Sequence, residues 1–200
     1  KVDVAKAKAA PGVVAVFTGA NMAKDALGSI PCGWLVKNKD GSPMAEPPHA
    51  PLAADRVRYV GDQVAVVIAE TRNAARDAAE LVEVEYAPRP AVSTMAEALK
   101  PGAPLVHDSA AGNLCYDWHL GDGAAVDAAF AGAAKVAKIE VVNNRLIPNA
   151  MEPRAAIGDY DSGSDGYTLY VTSQNPHVHR LVISAFIGVA PEHKLRVVAP

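Results

Sequence analysis

Clusters of glycine and proline divide this chain into short segments, which limits it to small helices and strands joined by long connections. Five of its 15 prolines and three of its 15 glycines fall within residues 28–51. Residues 101–123 form a second such stretch, rich in Gly, Asp and Pro. Connections of this length in compact domains usually have a function or are disordered. We place a domain boundary in the second stretch and expect an α+β protein in two parts.

The clearest regular pattern is a strand, a helix and a strand. Residues 64–69 form a continuous apolar run typical of a buried strand, after an alternating stretch at residues 56–60. Thr71 or Asn73 can cap the alanine-rich helix that follows. Residues 82–86 then alternate strictly, as in a half-exposed strand. The spacing therefore predicts a compact unit of sheet and helix.

The remaining segments are shorter and follow the same rules. They predict strands at residues 13–17, 135–143 and 195–198, helices at residues 93–99 and 124–131, and a hairpin of residues 155–160 against 167–172. A chain of 200 residues is long enough to bury roughly two-thirds of its unfolded surface. We therefore expect one sizeable core or two small ones.

Composition excludes several classes of protein. The net charge is -3 with scattered Lys and Arg, which argues against a nucleic-acid partner, and no apolar run reaches the roughly 20 residues that span a bilayer. Cys32 and Cys115 lie outside any Cys-x-x-Cys pair, so no metal site built from this chain alone is expected. We interpret both as reduced thiols, with a disulfide as the alternative. Residues 1–10 lack the apolar core of a signal peptide, which predicts a cytoplasmic chain unless a leader precedes Lys1.

Gln174 is the most informative candidate for a binding residue. It lies between a predicted strand ending at Thr172 and a helix beginning near Pro176, with Asn175 suited to the N-cap. Backbone N–H groups and a neutral primary amide at such a junction suit an anionic or oxo-bearing ligand. From the spacing alone, the favoured interpretation is that Gln174 ties down the turn.

Other polar residues give weaker signals. The sequence has four candidate metal-binding histidines, His107, His119, His177 and His179. The last two stand two positions apart on a predicted helix and do not face each other, and the first two have no carboxylate or thiol partners nearby. We interpret all four as surface or turn residues. Glu152 and Arg154 could form an acid–base pair, although an ion pair that fixes the start of a strand is favoured. No phosphate-binding or nucleophile motif occurs, so a hydrolase is not supported.

The combination of segments resembles the xanthine dehydrogenase and aldehyde oxidase family. Three segments are similar to its hammerhead domain: Pro11–Gly19, Leu52–Glu70 and Ala78–Tyr86. Two more resemble the opening of its molybdenum-binding domain: Asn144–Arg154 and Thr168–His177. Their order and spacing agree across nearly the whole chain. Within the family, the chain is most similar to the large subunits of aerobic carbon monoxide dehydrogenases.

The resemblance implies a fold and a site. The fold is an α+β arrangement, with a hammerhead domain of mixed sheet and helices at residues 1–107 and a linker at residues 108–123. The first, truncated part of an α+β molybdopterin-binding domain follows at residues 124–200. By the same resemblance, Gln174 hydrogen-bonds an oxo ligand of molybdenum. No catalytic residue and no protein ligand to a metal are expected in this chain.

The resemblance also implies cofactors and partners. The chain would be part of the large subunit of a molybdenum-dependent oxidoreductase that uses oxygen from water. Its cofactor would be molybdenum–molybdopterin in the cytosine dinucleotide form, with electrons passing to 2Fe–2S and FAD on small and medium subunits. We expect a dimer of heterotrimers, in the cytoplasm or at the inner face of the membrane.

The resemblance leaves the substrate open. The family's glycine-rich loop, its catalytic glutamate and most of its pterin contacts would follow residue 200, so we expect these residues alone to bind no cofactor and to be inactive. Carbon monoxide, an aldehyde and an N-heterocycle all remain possible substrates. The alternative function is a non-catalytic assembly module that docks partner subunits.

Overall fold

Short strands and helices alternate in the first half of the computed structural model, which describes residues 1–200. These elements are β1 (Val2–Asp3), α1 (Ala5–Ala9), β2 (Val13–Thr18), α2 (Gly19–Lys24), β3 (Ala65–Ala69), α3 (Arg72–Glu80), β4 (Glu83–Val84) and α4 (Met95–Ala98). No regular helix or strand interrupts the chain between α2 and β3. The long connection predicted at residues 28–51 is therefore confirmed.

The second half contains a hairpin, a crossover helix and a final strand. Its elements are a 3-10 turn (Ala111–Asn113), α5 (Gly123–Ala131), β5 (Ala156–Asp161), β6 (Gly166–Val171), α6 (Pro176–Leu181), a π-helix (Val182–Ile187), a second 3-10 turn (Glu192–Lys194) and β7 (Leu195–Val198). The predicted hairpin and the α+β class are confirmed. None of the helices combines the length and the apolar character that crossing a bilayer requires.

The strands form three small sheets. β1 pairs with β4 and β2 pairs with β3, both antiparallel, whereas β6 lies between antiparallel β5 and parallel β7. The two strands of the predicted strand–helix–strand unit, β3 and β4, therefore belong to different sheets. Each pairs with a strand from the start of the chain. Residues 56–60 form no strand, because Arg58 N–H bonds to Asp62 Oδ2 (3.0 Å) in a local turn.

Side-chain caps set where several helices begin. Thr71 Oγ1 accepts a hydrogen bond from Ala74 N–H (3.1 Å) at the start of α3, so Thr71 rather than Asn73 is the cap. Asp122 plays the same part at the start of α5, where its Oδ1 accepts from Ala125 N–H (3.0 Å). A short polar side chain at this position satisfies one backbone N–H that has no partner within the helix.

The predicted strand at residues 135–143 is wrong. The chain between α5 and β5 has no regular structure, and its apolar side chains are exposed: Ile139 and Val142 are each 85% exposed. An extended segment becomes a strand only when a neighbouring strand accepts and donates its hydrogen bonds. No other part of the described chain pairs with this segment.

The tightest packing joins α1 and α3 to β2. Ala7 and Ala78 are fully buried, and Val16 of β2 is 3% exposed. Alanine at these positions lets the two helices approach closely without loss of rotamer freedom. Nothing similar occurs around α5 and β5, whose residues are all exposed.

The chain as a whole buries little of its surface. Its accessible surface is 15,846 Å² and only eight of the 200 residues are buried. A folded protein of this mass exposes about 8,900 Å², and its unfolded chain about 30,000 Å². Folding therefore buries about half of the unfolded surface, less than the roughly two-thirds that a chain of this length can bury. Large faces of the chain are therefore exposed to solvent.

Candidate functional site

Gln174 lies just beyond the C-terminal end of β6, the middle strand of the three-stranded sheet. β6 and β7 are parallel and are connected through α6 and the π-helix. Their register pairs Tyr170 with Val198, so both strands have their C-terminal ends on the same side of the sheet. In sheets with parallel strands, ligands bind beyond the carboxyl ends of the strands. This places the sequence-predicted residue where a ligand is expected.

Two neighbours of Gln174 stabilise the turn. Ser173 Oγ accepts a hydrogen bond from Asn175 N–H (2.9 Å), and Asn175 Oδ1 accepts one from Val178 N–H (3.2 Å). Pro176 occupies the first helical position, as the sequence predicted. Gln174 is exposed and takes part in none of these bonds. The interpretation favoured from spacing, that Gln174 ties down the turn, therefore does not describe this structure: its amide is available to a ligand.

The helix after Gln174 is held firmly at several points. α6 continues without a break into the π-helix, and Ser184 Oγ donates to Arg180 O (2.7 Å). The Arg180 guanidinium donates twice to Glu192 O, through Nε (3.1 Å) and Nη2 (2.9 Å). The π-helix ends at Gly188, whose φ of 82° requires a left-handed conformation. Sequence reasoning missed the π-helix, although Gly188 is a typical helix-ending residue.

Glu152 and Arg154 do not form the predicted ion pair. None of the six ion pairs in the described chain includes either residue. Glu152 instead lies beside the end of β6, where its Oε1 is 3.5 Å from the Thr172 hydroxyl. The segment around both residues is exposed and has no regular structure, and no contact holds the two side chains together. A carboxylate thus lies near the edge that carries Gln174.

The four candidate histidines lie in different surroundings. His177 and His179 are exposed on α6, and His119 Nε2 lies 3.1 Å from Gly121 O in a local turn. His107 is half-buried, and its pKa is lowered by burial and, secondarily, by two nearby arginines. No group of three or more His, Cys, Asp or Glu side chains converges in residues 1–200. The described chain therefore offers Gln174 as a hydrogen-bonding residue rather than a set of metal ligands.

Both cysteines are free and exposed. Cys32 lies in the long loop and Cys115 in the second connection, and no disulfide joins them. The interpretation of two reduced thiols is confirmed. The backbone at Cys115 nevertheless binds the loop, because its carbonyl accepts a hydrogen bond from Ala45 N–H (2.8 Å).

Two family models match the chain in tandem. Residues 1–90 match the "Aldehyde oxidase and xanthine dehydrogenase, a/b hammerhead domain", and residues 106–200 match the "Molybdopterin cofactor-binding domain". Only residues 91–105 lie outside both matches. The chain belongs to the xanthine dehydrogenase and aldehyde oxidase family of molybdenum hydroxylases.

Within that family, the chain is similar to carbon monoxide dehydrogenase. It is 36% identical to the carbon monoxide dehydrogenase large chain of Afipia carboxidovorans, over 100% of this chain and 25% of the relative. A crystal structure of Cu,Mo-CO dehydrogenase gives a TM-score of 0.84 at 33% identity, over 100% of this chain and 25% of that one. Quinoline 2-oxidoreductase from Pseudomonas putida 86 gives 0.81 at 31% identity, over 100% and 24%.

The comparisons confirm the family recognised from the sequence. The chain spans about a quarter of the length of the relatives it matches. Two enzymes named for different substrates, carbon monoxide and quinoline, match all of it with similar TM-scores. Residues 1–200 therefore carry the shared framework of the family, and the likeness does not distinguish between substrates.

Proposed function

We propose that this chain works within the large subunit of a molybdenum-dependent oxidoreductase. It supplies a hammerhead domain (residues 1–107), a linker (residues 108–123) and the opening of the molybdopterin-binding domain (residues 124–200). The tandem order of the two family matches, at residues 1–90 and 106–200, supports a hammerhead domain followed by a molybdopterin-binding domain. The open surface supports it too, because every residue of α5 and β5 is exposed, as expected if another polypeptide covers them.

The free amide of Gln174 is the observation that carries the proposal. The molybdenum–pterin group, when bound, supplies the oxidation of the substrate with oxygen taken from water. Gln174 would hold that group by donating a hydrogen bond to an oxo ligand, without adding charge to the site. Ser173 and Asn175 fix the backbone of the turn from which the Gln174 side chain extends. We assign no catalytic residue to this chain.

The side chains near Gln174 suit a cofactor that is held mainly by hydrogen bonds. Because no cluster of His, Cys, Asp or Glu is available, molybdenum would be carried by its pterin, which we propose to be the cytosine dinucleotide form. We propose that 2Fe–2S and FAD on small and medium subunits would accept the electrons, within a dimer of heterotrimers. We propose a cytoplasmic location, including the inner face of the membrane. The two exposed free thiols suit a reducing compartment of this kind.

The test compares Gln174→Ala with Gln63→Ala in the assembled holoenzyme. The chain has only these two glutamines, and both are exposed. Substrate-dependent dye reduction is first screened with carbon monoxide, an aldehyde and an N-heterocycle. We expect Gln174→Ala to lower kcat about 100-fold, the effect of removing one preorganised donor. Molybdenum content and subunit assembly should not change, and Gln63→Ala should behave as wild type.

The same experiment tests the second candidate, a non-catalytic assembly module. That function is favoured by the large open surface of the chain. If it were the whole function, Gln174→Ala would leave turnover unchanged. Equal kcat values for Gln174→Ala and Gln63→Ala would therefore overturn the cofactor role and leave the docking role.

A further inference from the structure

A loop of the hammerhead part contacts the far end of the helix that follows Gln174. Gly28 N–H donates a hydrogen bond to Ile187 O, at 2.9 Å. Ile187 is the last residue of the π-helix. The last carbonyls of a helix have no partner inside it, so an outside donor stabilises them. The contact joins two parts of the chain that the two family models describe separately.

Only glycine allows this approach. A Cβ atom on Gly28 would lie 1.8 Å from Phe186 O and 3.0 Å from the Phe186 carbonyl carbon. Both are backbone atoms, so a side chain cannot be accommodated by a change of rotamer. A Cβ atom on Gly33, in the same loop, would have nothing within 4 Å. A side chain at residue 28 would therefore clash with the backbone of the helix, whereas a Cβ at residue 33 would meet no other atom.

The loop side of the contact is rigid. Leu27 N–H bonds to Met22 O (3.0 Å), which ties the residue before Gly28 to the end of α2. α2 in turn follows β2 directly and is held at its start by a capping box between Thr18 and Asn21. Gly28 is thus a loop residue that directly follows a segment bonded to α2.

The same loop is attached again further along. Asp117 N–H donates to Asn38 Oδ1 (2.7 Å), and Lys39 N–H donates to Asp117 O (2.8 Å). These bonds fix the loop to the second connection. The loop therefore crosses between the two parts of the chain at more than one point, and the Gly28 contact has support on both sides.

On the other side of the contact, the helix connects Ile187 to Gln174. α6 and the π-helix together run from Pro176 to Ile187 without a break. The six α-helical residues, at about 1.5 Å per residue, span roughly 9 Å, and the six π-helical residues lengthen this rod further. Since packed helices move as rigid units, a shift at one end displaces the other. Gln174 stands immediately before the first turn of this rod.

We propose that Gly28 is a positioning residue for the cofactor site: its backbone contact with Ile187 sets the axial position of the helix and therefore of Gln174. This inference rests on the proposed role of Gln174. The hammerhead part then acts on the site through the helix, in addition to any contact that it makes with other polypeptides.

The test compares Gly28→Ala with Gly33→Ala in the assembled holoenzyme. We expect Gly28→Ala to lower kcat about tenfold with little change in KM, because small misplacements of a positioning group affect the chemical step. Hydrogen–deuterium exchange should be faster both in peptides covering residues 182–189 and in those covering residues 173–175. Molybdenum content should be unchanged, and Gly33→Ala should match wild type throughout.

Two outcomes would overturn the inference. One is faster exchange at residues 182–189 with unchanged kcat and unchanged exchange at residues 173–175, since the two ends would then be uncoupled. The other needs no variant: in the wild-type holoenzyme, an unprotected Gly28 amide would show that the contact is absent. This measurement also decides the matter if Gly28→Ala fails to assemble. If Gln174→Ala keeps full activity, the proposed function fails, but the exchange data still report the coupling.

Discussion

Purified alone, the 200-residue chain is expected to unfold with an unusually shallow dependence on urea. Its folded surface is 15,846 Å², and the corresponding unfolded chain exposes about 30,000 Å². Unfolding therefore exposes about 14,000 Å², against about 21,000 Å² for an ordinary folded protein of this mass. The m-value is proportional to the surface exposed on unfolding, so we expect about two-thirds of the ordinary value.

The assay is a urea titration followed by far-UV circular dichroism, beside a monomeric reference domain of equal length in the same buffer. Sedimentation velocity on the same samples determines whether the chain associates, since association would cover apolar surface. A dye that fluoresces on apolar surface gives an independent measure of the open faces, and its signal should exceed that of the reference domain.

A monomer with the same m-value as the reference would refute this reasoning. It would mean that the isolated chain closes its open faces by itself, so that residues 133–155 and β5 pack against the rest of the molecule. An m-value that rises with protein concentration would support the reasoning instead. In that case association between chains, rather than folding within one, covers the exposed surface.

Two further predictions concern single residues. A Cβ on Gly19 would lie 2.2 Å from Ala53 O, so we expect Gly19→Ala to lower the free energy of unfolding by about 1–3 kcal/mol. Urea titration measures this change, and Gly33→Ala is the control. Burial lowers the pKa of His107, so the unfolded chain binds more protons and the folded state loses stability as the pH falls below about 6.5. His107→Gln should weaken the dependence of stability on pH. An unchanged dependence would show that His107 is not its cause.

Features that depend on neighbours in sequence could be predicted. The cap at Thr71, the β5–β6 hairpin and the junction around Gln174 all follow from a few adjacent residues, and all three occur where the sequence places them. Sheet membership could not be predicted in this way. β3 and β4 look like partners in one unit, yet each pairs with a strand near the start of the chain, a choice that only packing makes.

The site was predictable in part. The position of Gln174 follows from its Asn-Pro neighbours, whereas the freedom of its amide depends on which neighbour bonds to which backbone group. The contact between Gly28 and Ile187 leaves no pattern in the sequence, because glycine in a loop usually indicates a turn. The wrong prediction of a strand at residues 135–143 has a different cause. Alternation reports a preference for a sheet but cannot provide the partner strand.

That unpaired stretch has a consequence for how the protein is made in the cell. Residues 135–143 combine exposed β-branched side chains with a backbone that pairs with no strand, which is the chemistry of self-association between newly synthesised chains. Lys138 and Glu140 place opposite charges within it and oppose stacking in register only weakly. Production of active protein then depends on timing, because the covering polypeptide must reach this segment before another copy does.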